Sequence, residues 1–291
     1  MTSLLVFGYT PNGDSPTDRD RMNQFSMLVG KLAGTDVVIS EGASYDDLAH
    51  AMHGRAIDFA WLPPIPYIAL ERVDACVAVV SNHRDGSAPY QSVLIVEAGA
   101  TIARLTDLVG KRAAWVDPRS ASGYVIPRIA LPGQGVDPRT AFVTERFYRT
   151  HEAVVYAVVE GRADFGATYA GLDASGAVVR GPWLDLPGVD ERVRVVAAFG
   201  SIPGDVIAVR SDVAEATRDK LARAFIAASH DPANRLLIRE VFGVDEFRRF
   251  APSGYDALRR ATMEATEAGL IDGLEKGEPG PDDTQERSAS S

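Results

Sequence analysis

Short apolar runs alternate with amphipathic segments along most of this chain of 291 residues. Runs of branched and aromatic side chains favour β-strands. The first part of the chain contains three such runs: Leu4–Gly8, Val37–Ser40 and Ile57–Leu62. The segment Asp18–Leu32 repeats apolar positions at helical spacing and therefore predicts a helix. Its buried face is expected to carry Met22, Phe25, Leu28 and Leu32.

A second helix is predicted after Ser44, which is a typical N-cap residue for the segment Tyr45–His53. The proline-rich segment Pro63–Tyr67 follows the third strand and predicts a rigid turn that begins another helix. Strands that alternate with helices in this way predict a largely parallel sheet with helices on both faces.

The same plan begins again near Val93. Four strands are predicted there: Ser92–Glu97, Arg112–Val116, Thr140–Thr144 and Asp164–Thr168. Three helices are predicted between and after them: Leu105–Val109, Gly123–Leu131 and His151–Glu160. We therefore expect a second unit of α/β type.

The last part of the chain contains two further strand patterns, Val193–Phe199 and Val206–Val209. Three helices are predicted after them without an intervening strand: Val213–Ala228, Pro232–Val241 and Tyr255–Ala268. Because no strand separates these helices, we expect them to pack on the first unit.

The expected fold is therefore α/β with two lobes. Residues 1–88 and 203–275 would form a discontinuous first lobe, and residues 89–202 would form the second. The chain would cross between the lobes near residues 88–92 and 198–204. The polar, aperiodic segment 276–291 predicts a disordered tail.

Composition and charge exclude several classes of partner. The net charge is −10, which argues against binding to nucleic acid or to an anionic membrane surface. The single cysteine, Cys76, lies in an apolar run and is expected to be an inert buried thiol.

No segment is apolar enough to span a bilayer, so no membrane insertion is expected. Residues 1–3 lead straight into the first strand without the pattern of a secretory signal. This predicts a cytoplasmic location, or a periplasmic or extracellular one if the natural start lies upstream.

The segment Asp117–Tyr124 between a predicted strand and a predicted helix contains Ser120, Ala121 and Ser122. Small hydroxyl residues and free backbone N–H groups at a helix start suit a tetrahedral oxyanion such as a phosphate or a phosphonate. A serine before a helix is also an ordinary N-cap, so this segment alone does not decide between the two roles.

Four other residues could contact a ligand. His151 stands at a helix start, where its imidazole could donate to an anion or simply lie at the surface near the cap. Tyr90 at the first crossing, and likewise Tyr45, could reach a ligand or only pack. Asp205 at the second crossing could hold an ammonium group or satisfy a turn.

Familiar catalytic motifs are absent from the sequence. It contains no HExxH, CxxC, GxxxxGK[ST] or GxSxG pattern. No metal and no cofactor are therefore expected.

The order of these motifs resembles the phosphonate-binding, PhnD-like substrate-binding proteins of ABC importers. The similarity runs from about Leu5 to about Arg248. It rests on five segments taken together: Asp58–Leu62 with the prolines that follow, Asp117–Tyr124, His151–Glu152, Gly161–Asp164 and Ile202–Asp205. The resemblance implies a two-lobed type II periplasmic-binding-protein fold that closes by a hinge motion on a ligand in the cleft between the lobes.

The resemblance also implies roles for individual residues. Those that would hold the phosphonate oxygens are Ser120, Ala121 through its N–H, Ser122, Tyr90 and His151. Tyr45 would line the first lobe, and Asp205 would face the amino end of the ligand.

The chain departs from the family pattern at two positions. Ala121 stands where a hydroxyl residue is often found, which removes one O–H donor. The segment Thr168–Gly171 lacks the carboxylate that aminoalkylphosphonate binders carry, so half of the expected ammonium site is missing. Tyr169 would instead narrow the pocket for a smaller or aromatic anion.

The leading functional hypothesis is a solute-binding protein for phosphonate, phosphate or phosphite. Its expected partners are this small oxyanion and either an ABC permease or a regulatory protein. Two alternatives remain at this point: a cytoplasmic enzyme of lyase or dehydratase type on the same fold, and a cytoplasmic ligand sensor. For an enzyme, the acid–base candidates would be His151, Asp205 and Tyr90.

Overall fold

A computed structural model describes residues 4–11, 16–83 and 90–271 of the chain. The chain divides into two compact units. Unit 1 comprises Met1–Gly86 and Gly204–Tyr255, and unit 2 comprises Ser87–Pro203 and Asp256–Ser291. The predicted tail, residues 276–291, and residues 88 and 89 of the first predicted crossing lie outside the described residues.

The secondary structure follows the predicted alternation closely. The strands are β1 (Leu4–Tyr9), β2 (Asp36–Glu41), β3 (Phe59–Leu62), β4 (Cys76–His83), β5 (Tyr90–Glu97), β6 (Arg112–Trp115), β7 (Thr144–Phe147), β8 (Phe165–Leu172), β9 (Val178–Arg180), β10 (Val193–Ser201), β11 (Val206–Arg210) and β12 (Glu246–Arg249). The helices are α1 (Pro16–Ala33), α2 (Tyr45–His53), α3 (Pro64–Arg72), α4 (Ile126–Ala130), α5 (His151–Val159), α6 (Glu215–His230), α7 (Arg235–Phe242) and α8 (Asp256–Glu267). None of these helices is long and apolar enough to cross a membrane.

Unit 1 is built on a sheet with the strand order β12-β4-β11-β3-β1-β2. The pairs β1–β2 and β1–β3 are parallel, whereas β11 runs antiparallel to both of its neighbours and β12 runs antiparallel to β4. The sheet is therefore mixed, and the prediction of a largely parallel sheet is wrong for this half of it. Strand β11 belongs to the returning part of the chain, so its direction is not set by a strand–helix–strand repeat.

The core of unit 1 lies between this sheet and helices α1, α6 and α7. The ring of Phe225 on α6 packs against the rings of Phe7, Phe25, Phe59 and Phe247, with centroids 5.2–6.3 Å apart. The buried face of α1 consists of Met22, Phe25, Val29 and Ala33.

The predicted apolar face of α1 is thus only half correct. Leu28 is partly buried against the core, and Leu32 is 46% exposed. Leu28 and Leu32 each directly precede a buried residue, Val29 and Ala33, so in the second half of α1 the buried face is shifted by one residue from the predicted one. Apolar residues on two adjacent faces made the sequence pattern ambiguous.

The end of the chain differs from its prediction. Strand β12 lies between α7 and α8, where the sequence predicted none, and pairs with β4. Only Phe247 of β12 is buried, so this strand had no apolar run by which it could be recognised. Helices α6 and α7 belong to unit 1 as expected, but α8 belongs to unit 2. The chain segment after α8 is tied to unit 2 by Arg128, whose Nε donates to the carbonyl of Leu270 at 2.6 Å.

Unit 2 contains a second mixed sheet in the order β10-β5-β8-β6-β7, with β9 paired to the end of β8. Strands β8, β6 and β7 are parallel, and the other pairs are antiparallel. Strand β7 starts at Thr144, where the prediction ended it. The residues before it form a turn because Asp137 accepts the backbone N–H groups of Arg139 and Ala141 at 3.0 and 2.9 Å.

Candidate oxyanion site

The segment between β6 and α4 forms a compact loop rather than a regular helix start. Ser120 caps it, because its Oγ accepts the N–H of Gly123 at 3.0 Å. A π-helical turn, Ala121–Val125, follows and leads into the short helix α4. Ser120, Ala121 and Ser122 are all buried. Ser120 therefore has the ordinary capping role, whereas the hydroxyl of Ser122 lies close to strand β5.

Strand β5 meets this loop through two hydroxyl groups. The phenol of Tyr90 lies 3.2 Å from Oγ of Ser122. The hydroxyl of Ser92, which is fully buried, donates to the carbonyl of Ser122 at 2.7 Å. These contacts hold residues 120–125, which we call the serine loop, against the strand. They also place the Tyr90 and Ser122 hydroxyl groups side by side.

Helix α5 and strand β8 contribute the third part of the cluster. Thr150 caps α5 by accepting the N–H of Ala153 at 3.1 Å, which leaves His151 as the first helical residue. The Nδ1 atom of His151 lies 2.9 Å from Oγ1 of Thr168. The ring of Tyr169 stacks on Tyr90 at 5.0 Å and meets the edge of the His151 ring at 4.9 Å.

The His151 imidazole is enclosed enough to resist protonation. Burial lowers its pKa to about 4, although the residue keeps some exposed surface. It is therefore a neutral ring near neutral pH, able to donate one hydrogen bond and accept another.

Six of the predicted site residues lie in unit 2, and we call them the oxyanion cluster. They are Tyr90, Ser120, Ala121, Ser122, His151 and Tyr169. Chained contacts join four of them, Ser122, Tyr90, Tyr169 and His151, and Ser120 and Ala121 precede Ser122 in the same loop. Hydroxyl groups, an imidazole and backbone N–H groups can together donate to the oxygens of a small anion.

The remaining two predicted residues, Tyr45 and Asp205, lie in unit 1. Tyr45 is the first residue of α2 and is half-buried. The carboxylate of Asp205 accepts the indole N–H of Trp61 at 3.1 Å, and Trp61 packs edge-on against Phe242. The sequence did not reveal that Trp61 orients this carboxylate.

Two further polar residues of this region, Ser92 and Thr168, were not recognisable from the sequence. Both are completely buried on apolar strands. A hydroxyl residue inside an otherwise apolar strand indicates a buried hydrogen bond, because a buried polar group needs a partner.

Gly171 on β8 ends the segment Thr168–Gly171, which was expected to lack the carboxylate of aminoalkylphosphonate binders. It lies directly opposite Tyr90 on β5 and directly opposite Arg180 on β9. Directly opposed residues of antiparallel strands point to the same face of a sheet. A guanidinium-bearing residue, Arg180, thus neighbours the end of this segment.

Three further features bear on a catalytic, metal-binding or second ligand site. Burial raises the pKa of the Cys76 thiol to about 12, as expected for an inert core cysteine. Among the residues described, no three His, Cys, Asp or Glu side chains are grouped to hold a metal ion. A cavity of about 480 Å³ in unit 2 is lined by Glu97, Lys111 and Asp164 among others and shares no residue with the oxyanion cluster.

The fold defines the class of the protein. The structure of PhnD1 from Prochlorococcus marinus in complex with methylphosphonate matches 92% of this chain and 99% of its own, with a TM-score of 0.74 and 17% sequence identity. The chain therefore has the type II periplasmic-binding-protein fold, as the resemblance implied.

The family follows from the sequence comparison. The model of the family described as ABC transporter, phosphonate, periplasmic substrate-binding protein matches residues 7–255, and the chain belongs to this family. The phosphonates-binding periplasmic protein of Escherichia coli (strain K12) is 25% identical over 247 residues, which cover 81% of this chain and 70% of that protein. The phosphate-import protein PhnD of Mycolicibacterium smegmatis is 26% identical over 211 residues, which cover 68% of this chain and 63% of that protein.

These findings confirm the predicted family and fold. They do not support the predicted cytoplasmic location, because the family and the Escherichia coli relative are periplasmic. They agree with the alternative periplasmic location.

Proposed function

We propose that this protein binds a single phosphorus oxyanion (a phosphonate, phosphate or phosphite) as the substrate-binding component of an ABC importer. The oxyanion cluster of unit 2 would hold the ligand oxygens. The hydroxyl groups of Ser122 and Tyr90, the imidazole of His151 and the N–H of Ala121 would donate to them. The periplasm is the proposed location, and the importer's permease is the proposed protein partner.

One observation supports this proposal above the others. The Tyr90 phenol lies 3.2 Å from the Ser122 hydroxyl, and Tyr169 touches both the Tyr90 and His151 rings. Three donor side chains from separate elements thus converge within unit 2. Donors held in place before the ligand arrives lose little conformational entropy on binding.

The neighbours of Gly171 favour a ligand without an amino group. An ammonium group would need a carboxylate, and Gly171 offers none. Arg180 on the opposing strand carries a positive charge instead. We therefore propose that methylphosphonate, phosphite or phosphate is bound in preference to 2-aminoethylphosphonate. The methylphosphonate complex of the Prochlorococcus marinus protein is consistent with such a ligand.

Isothermal titration with methylphosphonate, phosphite, phosphate and 2-aminoethylphosphonate tests the proposal directly. The double variant Ser122→Ala with His151→Ala removes two of the proposed donors. Because a hydrogen bond to a charged group is worth about 1.5–3 kcal/mol, we expect each loss to weaken binding about 10- to 100-fold.

A control double variant, His53→Ala with Ser253→Ala, changes the same residue types at exposed positions in unit 1. It should bind like the parent. If no phosphorus oxyanion binds the parent, or if the Ser122/His151 variant binds undiminished, the proposal fails. Turnover of a bound ligand would instead identify an enzyme.

A further inference from the structure

The environment of Thr168 restricts what its hydroxyl group can do. Thr168 lies on β8 and has no exposed surface. Its Oγ1 atom is 2.9 Å from Nδ1 of His151. Among the described residues, His151 is the only hydrogen-bond partner of this hydroxyl.

Because the Thr168 hydroxyl has this single partner, the choice of donor between Oγ1 of Thr168 and Nδ1 of His151 can be decided. A threonine hydroxyl carries one proton and can also accept, whereas a neutral imidazole carries its proton on one nitrogen only. If Nδ1–H donated to Thr168, the hydroxyl proton would be buried without an acceptor, at a cost of about 1–3 kcal/mol. If Thr168 donates to Nδ1, both groups are satisfied. The second arrangement leaves the imidazole proton on Nε2.

We propose that Thr168 is a positioning residue that holds His151 in the Nε2–H tautomer and thereby presents a neutral N–H donor to the bound oxyanion. The tautomer is a property of the ligand-free protein, whereas its use in binding rests on the proposed function. Thr168 itself need not touch the ligand.

The surroundings of His151 agree with a neutral donor. The ring of Tyr169 on β8 packs nearly perpendicular to the imidazole, and Tyr90 on β5 stacks on Tyr169. Glu152 is the next residue of α5. Burial alone accounts for the lowered pKa of His151, so neither Glu152 nor any other charged side chain accounts for it. Protonating Nδ1 would also turn the Thr168 hydroxyl proton towards surroundings in which no described residue accepts it.

The tautomer can be measured in the ligand-free protein by nitrogen-15 NMR of the histidine rings, because protonated and unprotonated ring nitrogens have well-separated shifts. The His151 signals are assigned by their loss in His151→Gln. We expect Nδ1 of His151 to be unprotonated and Nε2 to carry the proton. The Nδ1–H tautomer in the parent would overturn the proposal, and this measurement needs no variant of Thr168.

Two substitutions then separate the hydroxyl group from the packing. Thr168→Val keeps the shape of the side chain and removes the hydroxyl, so we expect a mixture of tautomers and about five- to tenfold weaker methylphosphonate binding. Thr168→Ser keeps the hydroxyl and is expected to restore both the Nε2–H tautomer and the parental affinity to within about twofold.

The outcomes distinguish this inference from the proposed function. A Thr168→Val protein that keeps both the tautomer and the affinity contradicts the positioning role. A parent that shows the Nε2–H tautomer but binds no phosphorus oxyanion contradicts the proposed function and leaves the tautomer assignment standing.

Discussion

At the scale of single residues, the apolar strands of unit 2 contain buried hydroxyl groups that make specific hydrogen bonds. Ser92 and Thr168 have no exposed surface, and each bonds to a residue of the oxyanion cluster. A buried hydroxyl group is costly without a partner, so each fixes the position of what it touches. Two residues of the cluster, Ser122 and His151, are therefore each held by a buried hydroxyl group.

His151 should make the protein sensitive to acid. Its pKa is about 4 in the folded protein and near 6.5 in an unfolded chain, so the unfolded chain binds the proton first. Stability from this group is complete above about pH 6.5 and is lost as the pH falls towards about 4, by at most about 3 kcal/mol.

Urea unfolding of the parent and of His151→Gln across this pH range measures the effect. The variant cannot titrate at this position and should lose less stability in acid. His53→Gln, at an exposed position of α2, is the matched control and should follow the parent. Identical acid profiles for His151→Gln and the parent would contradict the prediction.

A single substitution at Gly171 is expected to change which ligand the protein prefers. Gly171→Glu introduces a carboxylate on β8 between the paired positions of Tyr90 and Arg180. We expect affinity for 2-aminoethylphosphonate relative to methylphosphonate to rise about fivefold or more, from one added charge pair. Gly171→Gln has the same size without the charge and should not change the ratio. Equal ratios for the two variants would show that charge at this position does not select the ligand.

At the scale of elements, the serine loop depends on a close approach of two backbone segments. The N–H of Val116 donates to the carbonyl of Gly123 at 3.2 Å. A Cβ atom added at Gly123 would lie 2.4 Å from Cγ2 and 2.6 Å from Cβ of Val116. Any larger residue at this position would force Val116, which directly follows β6, or the π-helical turn to shift.

Gly123→Ala should consequently destabilise the protein by about 1–3 kcal/mol and weaken oxyanion binding, because the overpacked loop must shift. Gly133→Ala is the matched control, since a Cβ there meets no atom within 4 Å. Thermal unfolding and titration with methylphosphonate measure both effects. A Gly123→Ala protein with parental stability would mean that the loop adjusts without cost.

At the scale of the whole molecule, each unit has a hydrophobic core of its own. The rings around Phe225 form the core of unit 1. In unit 2, the completely buried Phe165 packs against Trp115 and Phe142 at 5.7 and 5.1 Å. Separate cores predict that a destabilising substitution in one unit lowers the local stability mainly of that unit.

Phe225→Ala and Phe165→Ala test this independence as a reciprocal pair. Each should cost about 3–5 kcal/mol, because a large buried ring is replaced by a cavity. Hydrogen exchange followed by mass spectrometry should show lost protection in β1 and β3 for Phe225→Ala, and in β6 and β8 for Phe165→Ala. Equal loss in both units from either variant would show that they unfold as one.

Family membership and most elements were readable from the sequence. The strands β1, β2, β5, β10 and β11 and the helices α1, α2 and α5 lie within two or three residues of their predicted positions. Local periodicity is sufficient for such elements, since each carries its own apolar face. The segments around Ser120 and His151 were likewise recognisable, because caps and small hydroxyl residues are local signals.

The amino-acid sequence by itself determined the strand–helix alternation and the family, and it named the residues that we propose as donors. The tertiary structure alone decided the directions of the strands, the presence of β12, the unit to which α8 belongs, and the partners of Asp205, Ser122 and His151. The reason is physical: periodicity and capping act over a few neighbouring residues, whereas strand pairing and buried hydrogen bonds join segments far apart in the chain. Thr168 and His151 are 17 residues apart, and no local pattern relates a strand hydroxyl to the tautomer of a helix-start imidazole.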